Sequence, residues 1–146
     1  GTLNSEIVEG LEATYVSTRE TPIDQLVAQV GKADLIVDAT GHSGVAFDAM
    51  NHLGHNGVLV WTSITGGDRA VEIPSDKINI EWVLGNKLLV GSVNANKTHF
   101  ESGIKDLALG EVMYPGVIAR ILTNPIDGFD NYQELIALVC FGKRKS

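Results

Sequence analysis

Short apolar runs separated by polar stretches predict four β-strands along the chain. The clearest covers residues 35–37, a continuous apolar run between Asp34 and Asp38. Such a run is typical of a strand that is covered on both faces in a parallel sheet. The predicted strands cover residues 13–16, 35–37, 58–61 and 87–93.

Apolar residues at helical spacing predict helices between and after these strands. One helix is expected to start at Thr21 and Pro22, because a hydroxyl can cap the first turn and proline suits the first helical position. It is expected to end at Gly31. The other predicted helices cover residues 45–53, 78–84, 100–108 (ending at Gly110), 117–122 and 132–139, and the basic residues 143–145 are interpreted as a solvated end.

The alternation of strand and helix from residue 13 to residue 61 is typical of right-handed βαβ units around a parallel sheet. The predicted fold class is therefore α/β, with a parallel sheet and flanking helices. Neither an internal repeat nor a low-complexity linker interrupts the sequence. Residues 1–146 are interpreted as one domain.

Composition and charge narrow the function classes. The 146 residues are 44% apolar and 20% charged, as in a globular domain. The sequence contains neither an apolar run of membrane-spanning length nor an opening typical of a secretory signal. A cytoplasmic location is therefore expected. The formal charge of −7 disfavours a nucleic-acid surface. The single Cys140 and the absence of metal-ligand spacings disfavour both a disulfide framework and a zinc site. The expected partners are therefore small molecules or other protein chains.

Small and hydroxylated residues follow three of the predicted strands. In open parallel sheets, ligands bind outside the carboxyl ends of the strands, and small residues let a flat or phosphorylated ligand approach backbone N–H groups. The three strand exits cover residues 38–41, 62–67 and 92–94. Each exit alone fits an ordinary tight turn, but the three together favour a ligand site.

Other clusters of reactive side chains fit a structural role better. Residues 41–44 look like a nucleophile elbow, but Val45 stands where the second glycine is required. His52 and His55 are interpreted as a solvated pair rather than as metal ligands. The remaining candidates are interpreted likewise: Glu72, Asp76 and Glu81 as a solvated face, His99 as a surface residue and Cys140 as a small apolar residue.

Several segments share a pattern with a known enzyme family. They are residues 11–22, Asp38-Ala39-Thr40-Gly41, Gly85-Asn86-Lys87, residues 90–94 and His99-Phe100-Glu101. Through them the chain, from about Ser5 to Leu122, resembles the glucose dehydrogenases of the medium-chain dehydrogenase/reductase superfamily. The resemblance implies an oxidoreductase whose Rossmann domain binds NADP or NAD, while zinc is bound only in a separate catalytic domain.

The resemblance also implies roles for residues at the strand exits. Thr40-Gly41 match residues that pack against the adenosine half of the cofactor, and Ser63-Ile64 match the exit beside the nicotinamide. Ser92-Val93-Asn94 match the last exit, whose backbone meets the nicotinamide carboxamide, and Asn94 would also reach the sugar substrate. No residue of this chain receives a catalytic or metal-binding role.

Two features of the family are not found in this sequence. The family places two strands before the strand at residues 13–16, the first of them followed by a G-x-G-x-x-G turn. In the Rossmann order 3-2-1-4-5-6, residues 13–16 and 35–37 would be strands 3 and 4, which predicts a partial Rossmann-type sheet lacking the first two strands. The zinc-bearing catalytic domain is also not found.

We therefore expect the cofactor-domain segment of an NAD(P)-dependent sugar (glucose) dehydrogenase. The full enzyme would transfer a hydride from aldose C1 to the nicotinamide and would be a homo-oligomer, and the isolated chain would be inactive. A non-catalytic module that self-associates through unpaired sheet edges is the alternative. A nucleotide-binding domain of an unrelated α/β family is the third hypothesis, and it requires a phosphate site at residues 41–44 or 66–67.

Overall fold

The described part of the chain contains a three-stranded parallel sheet whose strands alternate with helices. The computed structural model describes residues 2–123 and 125–141, so the basic residues 143–145 lie outside the described part. Its elements are α1 (Thr2–Gly10), α2 (Ile23–Val30), β1 (Ala33–Asp38), α3 (Ser43–His52), β2 (Leu53–Trp61), α4 (Ser75–Leu84), β3 (Leu88–Gly91), α5 (Lys97–Met113), 3-10 turns at Ile118–Ile121 and Phe129–Asn131, and α6 (Tyr132–Phe141). Across these described ranges, every helix is too short or too polar to cross a membrane.

Contacts between Cα atoms divide the chain into two compact units. One unit comprises residues 16–97 and contains the sheet with α2, α3 and α4. The other comprises residues 1–15 and 98–146. Within this second unit, Arg120 Nη1 lies 3.7 Å from Glu6 Oε2, an ion pair that joins the first 3-10 turn to α1.

The sheet and two helices enclose the hydrophobic core of the first unit. The strand order is β1-β2-β3, all pairs are parallel, and Ile36, Leu59 and Leu89 lie side by side in register. Met50 of α3 and Trp82 of α4 pack on this row. Leu59 of the central strand has no exposed surface, so it lies at the centre of this core.

The opposite face of the sheet is largely uncovered. Leu35 and Val37 of β1 are 61% and 57% exposed, and Leu88 of β3 is 54% exposed. The prediction that residues 35–37 are covered on both faces is therefore wrong. An apolar run allows a strand to be covered on both faces. Here residues of both α3 and α4 pack on the face that carries Ile36, and the face that carries Leu35 and Val37 stays exposed.

The sequence predicted strands β1 and β2 and the position of β3 correctly, together with α2, α3, α4 and α6. The strand predicted at residues 13–16 is wrong, because this segment pairs with no other strand in the described part. Instead, Ala13 N donates to Val8 O at 3.1 Å and closes the end of α1, a helix that the pattern did not predict. An extended segment needs a ladder partner to satisfy its backbone groups.

Three helix predictions also need correction. Helix α2 begins at Ile23 with Pro22 at the N-cap and no side-chain capping bond, so the predicted cap at Thr21 is wrong. Helix α5 continues through Gly110 to Met113, since the gain from one more turn of hydrogen bonds outweighs the cost of about 1 kcal/mol for an interior glycine. The helix predicted at residues 117–122 is a single 3-10 turn.

Glu81 of α4 connects three parts of the sheet unit. Its Oε2 accepts a hydrogen bond of 3.2 Å from Lys32 Nζ and lies 3.7 Å from Lys87 Nζ, while Oε1 lies 3.9 Å from Lys77 Nζ. The hydrogen bond from Lys32 is the main cause that holds the pKa of Glu81 below its ordinary value of 4.5, against the opposing effect of burial. We call Lys32, Lys77, Glu81 and Lys87 the Glu81 cluster.

The lowered pKa of Glu81 predicts a pH-dependent contribution to stability. The ionised carboxylate stabilises the fold above pH 4.5, and this contribution is lost as the pH falls through the lowered pKa. We expect Glu81→Gln to lower the free energy of unfolding by about 1 kcal/mol or less near neutral pH, because the cluster is partly solvated. The difference from the native chain should shrink toward acidic pH.

Urea unfolding of both chains, from about pH 7 to about pH 3, measures this difference. The exposed Glu72 offers a matched control, and Glu72→Gln should leave the stability unchanged across the range. A difference between native chain and Glu81→Gln that stays constant with pH would contradict the assignment.

Candidate functional site

The backbone brings the exits of the three strands together at one edge of the sheet. Thr62 N and Thr62 Oγ1 both donate to Asp38 O, at 3.0 and 2.9 Å, and so join the exits of β1 and β2. Ser92 N donates to Trp61 O at 2.9 Å and joins the exits of β2 and β3. These bonds extend the parallel ladder beyond the strands and fix the three exits relative to one another.

A hydrogen-bonded turn fixes the exit of β1. The buried Asp38 accepts hydrogen bonds at Oδ1 from Thr40 Oγ1 at 2.7 Å and from Thr40 N at 3.2 Å. Thr40 Oγ1 in turn accepts from His42 N at 3.2 Å. Gly41 between them has a φ of +64°, which favours glycine, and a Cβ built there would lie 3.9 Å from Ile64 O.

Thr40 and Gly41 were predicted from the sequence as site residues, whereas the role of the Asp38 side chain was not predicted. The available signal was the spacing of aspartate and threonine two residues apart, since an aspartate commonly bonds the backbone two residues further on. Asp38 therefore orients the Thr40-Gly41 turn.

A pocket of about 280 Å³ opens between the exits of β2 and β3. We call it the strand-exit pocket. Its lining consists of Trp61, Thr62, Ser63, Ile64, Gly91, Ser92 and Val93. Four of the predicted residues, Ser63, Ile64, Ser92 and Val93, thus line one pocket, whereas Thr40, Gly41 and Asn94 are outside its lining.

Trp61 forms a fixed wall of the strand-exit pocket. Its indole Nε1 donates to Ala46 O of α3 at 3.2 Å. Its ring meets the ring of Phe47 edge-to-face, with 5.0 Å between the centroids and 67° between the planes. The register pairs Trp61 with Gly91, so the neighbouring strand places no side chain opposite the indole.

The pocket offers backbone groups for a polar ligand. In the ranges that the structure describes, the N–H groups of Ser63, Ile64 and Val93 donate to no backbone or side-chain acceptor. A planar amide ligand carries both a donor and an acceptor and could bond to such groups on two adjacent strands. The pocket therefore combines an aromatic wall, open space at Gly91 and unpaired backbone donors.

His52 is buried, and the prediction of a solvated pair is wrong for it. It is 6% exposed, with Nε2 3.2 Å from Asp48 Oδ2 and Nδ1 3.9 Å from Asp24 Oδ1. It therefore connects α3 to α2. His55, the other member of the predicted pair, is exposed.

The remaining sequence candidates are not among the residues that line the strand-exit pocket. Glu72, Asp76 and His99 are exposed, as predicted. Glu81 is partly exposed, and its carboxylate pairs with the lysines of its cluster. Cys140 is exposed on α6.

Comparison with known proteins identifies the family. The family described as glucose dehydrogenase C-terminus matches residues 2–136. The chain belongs to this family. The sheet order β1-β2-β3 agrees with the expected consecutive strands 4, 5 and 6 of a Rossmann-type sheet, and the hypothesis of an unrelated α/β family is wrong.

Relatives of this glucose dehydrogenase family are similar over most of the chain. The glucose 1-dehydrogenase of Methanocella arvoryzae is 34% identical over 124 residues, which is 85% of this chain and 34% of the relative. The crystal structure of glucose dehydrogenase from Haloferax mediterranei has a TM-score of 0.68 and 32% identity over 80% of this chain and 32% of that chain. The Haloferax enzyme in complex with NADP, Zn and gluconolactone gives the same TM-score and identity. The chain spans about a third of the length of these relatives.

Proposed function

We propose that this chain supplies the nicotinamide end of the cofactor site in an NADP- or NAD-dependent glucose dehydrogenase. The observation that carries the proposal is the strand-exit pocket, because Ser63-Ile64 and Ser92-Val93 converge on it from adjacent parallel strands. The pocket lies where ligands bind in doubly wound sheets. The solved Haloferax relative in complex with NADP supports the choice of cofactor.

The residues at the pocket fit a nicotinamide ring in shape and in chemistry. Gly91 leaves open space beside Trp61, since a Cβ built on Gly91 meets no atom within 4 Å. The backbone N–H groups of Ser63, Ile64 and Val93 can bond the carboxamide. Thr40-Gly41, held by Asp38, would contact the adenosine half at the neighbouring exit.

When bound, the oxidised nicotinamide supplies the acceptor for a hydride. The aldose would lose that hydride from C1 and a proton from the C1 hydroxyl, which gives a lactone. The task of this chain is to hold the ring within about 3–3.5 Å of the reacting carbon. Rigid strand ends do this better than mobile loops, and Asn94, just after the last exit, would reach the sugar.

We further propose that residues 1–146 alone do not oxidise glucose. The resemblance assigns the zinc ligands and most of the sugar site to a catalytic domain, and this chain matches only about a third of its relatives. Residues 2–123 and 125–141 contain no group of three or more His, Cys, Asp or Glu side chains placed to hold a metal, so we derive no step through zinc. The cytoplasmic location stays a prediction.

Titration of the chain with NADP and NAD tests this proposal. We expect saturable binding with a Kd weaker than micromolar, roughly in the range up to a millimolar, because the G-x-G-x-x-G phosphate turn is not found in this sequence. Quenching of the fluorescence of Trp61, which lines the pocket, provides the signal. Micromolar binding would contradict the need for the phosphate turn, and no binding at all would contradict the site.

The self-associating module is the alternative function. Two observations favour it: β1 pairs only with β2 within the described part, and Leu35 and Val37 expose an apolar face beside this edge. A homo-oligomer built in this way requires no cofactor. Light scattering after size-exclusion chromatography distinguishes the two, since a strictly monomeric chain contradicts the module and leaves the cofactor site untouched.

A further inference from the structure

Trp61 is the middle residue of a row that crosses the exits of the sheet. The register pairs it with Asp38 of β1 on one side and with Gly91 of β3 on the other. Residues paired in this way point to the same face of a parallel sheet. Because Gly91 has no side chain, the space beside the indole is open on the side of the strand-exit pocket. A ligand in this pocket would therefore meet the aromatic ring of Trp61.

The indole offers such a ligand an aromatic surface but no hydrogen bond. Its single polar group, Nε1–H, already donates to Ala46 O at 3.2 Å. The edge-to-face contact with Phe47, with 5.0 Å between the ring centroids, holds the ring in place. Trp61 can therefore recognise a ligand only through its π-system, whose negative face attracts positive charge.

Among the described residues, no charged side chain lines the strand-exit pocket. The rest of the lining contributes hydroxyl groups, aliphatic groups and backbone N–H donors, none of which prefers a cation to a neutral ligand. The carboxylate of Asp38 lies beyond Trp61 in the row, outside the lining, and its Oδ1 already accepts two hydrogen bonds. Within the described lining, the indole is thus the group that distinguishes a cationic ring from a neutral ring of the same size.

The two redox forms of a nicotinamide cofactor differ in exactly this charge, since the oxidised ring is a pyridinium cation and the reduced ring is a neutral dihydropyridine. We propose that Trp61 makes the strand-exit pocket selective for the oxidised form, through a cation–π interaction with the pyridinium ring. The inference rests on the proposed cofactor site and assigns to one residue the choice between the redox forms. Because differences in affinity lie mostly in the dissociation rate, the reduced form would leave the pocket faster than the oxidised form.

Separate titrations with NADP and NADPH, followed by amide chemical shifts, measure this preference. We expect the native chain to bind NADP about fivefold more tightly than NADPH, the effect of one cation–π contact with a partly solvated tryptophan. Trp61→Leu keeps an apolar wall but removes the π-system, and it should reduce the preference to less than about twofold. Trp61→Phe is the milder change for the core and should leave an intermediate preference, because phenylalanine is the weaker cation–π partner.

Trp82→Phe is the matched control for these variants. Trp82 also donates its Nε1–H to a carbonyl of α3, that of Met50 at 3.3 Å, and it packs on the same core, but it does not line the pocket. This variant should keep the preference of the native chain. An absorption measurement adds a second readout, since contact between an indole and a pyridinium ring gives a weak charge-transfer band. The native chain and Trp82→Phe should show this band with NADP, and Trp61→Leu should not.

The outcomes separate this inference from the proposed cofactor site. Equal affinity of the native chain for NADP and NADPH would overturn the inference alone, because both forms would still occupy the site. A folded Trp61→Phe or Trp61→Leu chain that loses affinity for both forms equally would also overturn it, since Trp61 would then be only a wall of the pocket. Binding of neither form to the native chain would contradict the proposed function and this inference with it.

Discussion

Replacing Leu59 with alanine should lower the free energy of unfolding by about 2–5 kcal/mol. Leu59 is fully buried in the central strand, between Ile36 and Leu89 of its neighbours and beneath Met50 and Trp82. Truncation would leave a cavity at the point where the sheet meets both helices. A domain of ordinary stability has about 5–15 kcal/mol in total, so this loss is a large fraction.

Leu88→Ala is the matched control for this prediction. Leu88 has the same side chain in the same sheet, but it is 54% exposed on the uncovered face. We expect a loss of less than about 1 kcal/mol, because little of its surface leaves water on folding. Urea unfolding followed by the fluorescence of Trp61 and Trp82, which pack against this core, measures both variants. Equal losses would contradict a core centred on Leu59.

Replacing Gly91 with leucine should abolish most of the cofactor binding that we propose. Gly91 lines the strand-exit pocket opposite Trp61, and a Cβ there meets no atom within 4 Å. A leucine would therefore occupy the open space of the pocket without displacing protein atoms. We expect the affinity for NADP to fall at least about tenfold, equivalent to about 1.4 kcal/mol.

Gly103→Leu provides a control of the same size. Gly103 lies on α5, outside the lining of the pocket, and a Cβ built there also meets no atom within 4 Å. Its cofactor affinity should stay within about twofold of the native chain. Both variants are titrated with NADP and checked by urea unfolding. Native-like affinity of a folded Gly91→Leu chain would contradict a ligand in this pocket.

The elements of the sheet unit could be predicted because local pattern and tertiary structure agree there. The apolar run at residues 35–37, bounded by aspartates, and the break at Gly85 are local signals for β1 and for the end of α4. The segment at residues 13–16 has an equally good strand composition, yet it has no partner strand in the described ranges. A strand forms only where a neighbouring strand pairs with it, and the composition of a segment does not predict whether such a neighbour is present.

The site was only partly predictable, for a related reason. The sequence was sufficient to predict that Ser63 and Ser92 lie close together, because the carboxyl ends of parallel strands meet at one edge of a sheet. The position of Gly91 opposite Trp61 depends on the register between β2 and β3, which the sequence does not reveal. Lys32 and Glu81 are 49 residues apart, so their contact also had no local signal.

The most direct test of the central claim is to locate the NADP site on the chain residue by residue. Amide chemical shifts of the assigned chain are followed during titration with NADP. The account predicts saturable shifts at Ser63, Ile64, Ser92, Val93 and Asn94, with smaller ones at Thr40 and Gly41. Saturable shifts confined to another surface would contradict it.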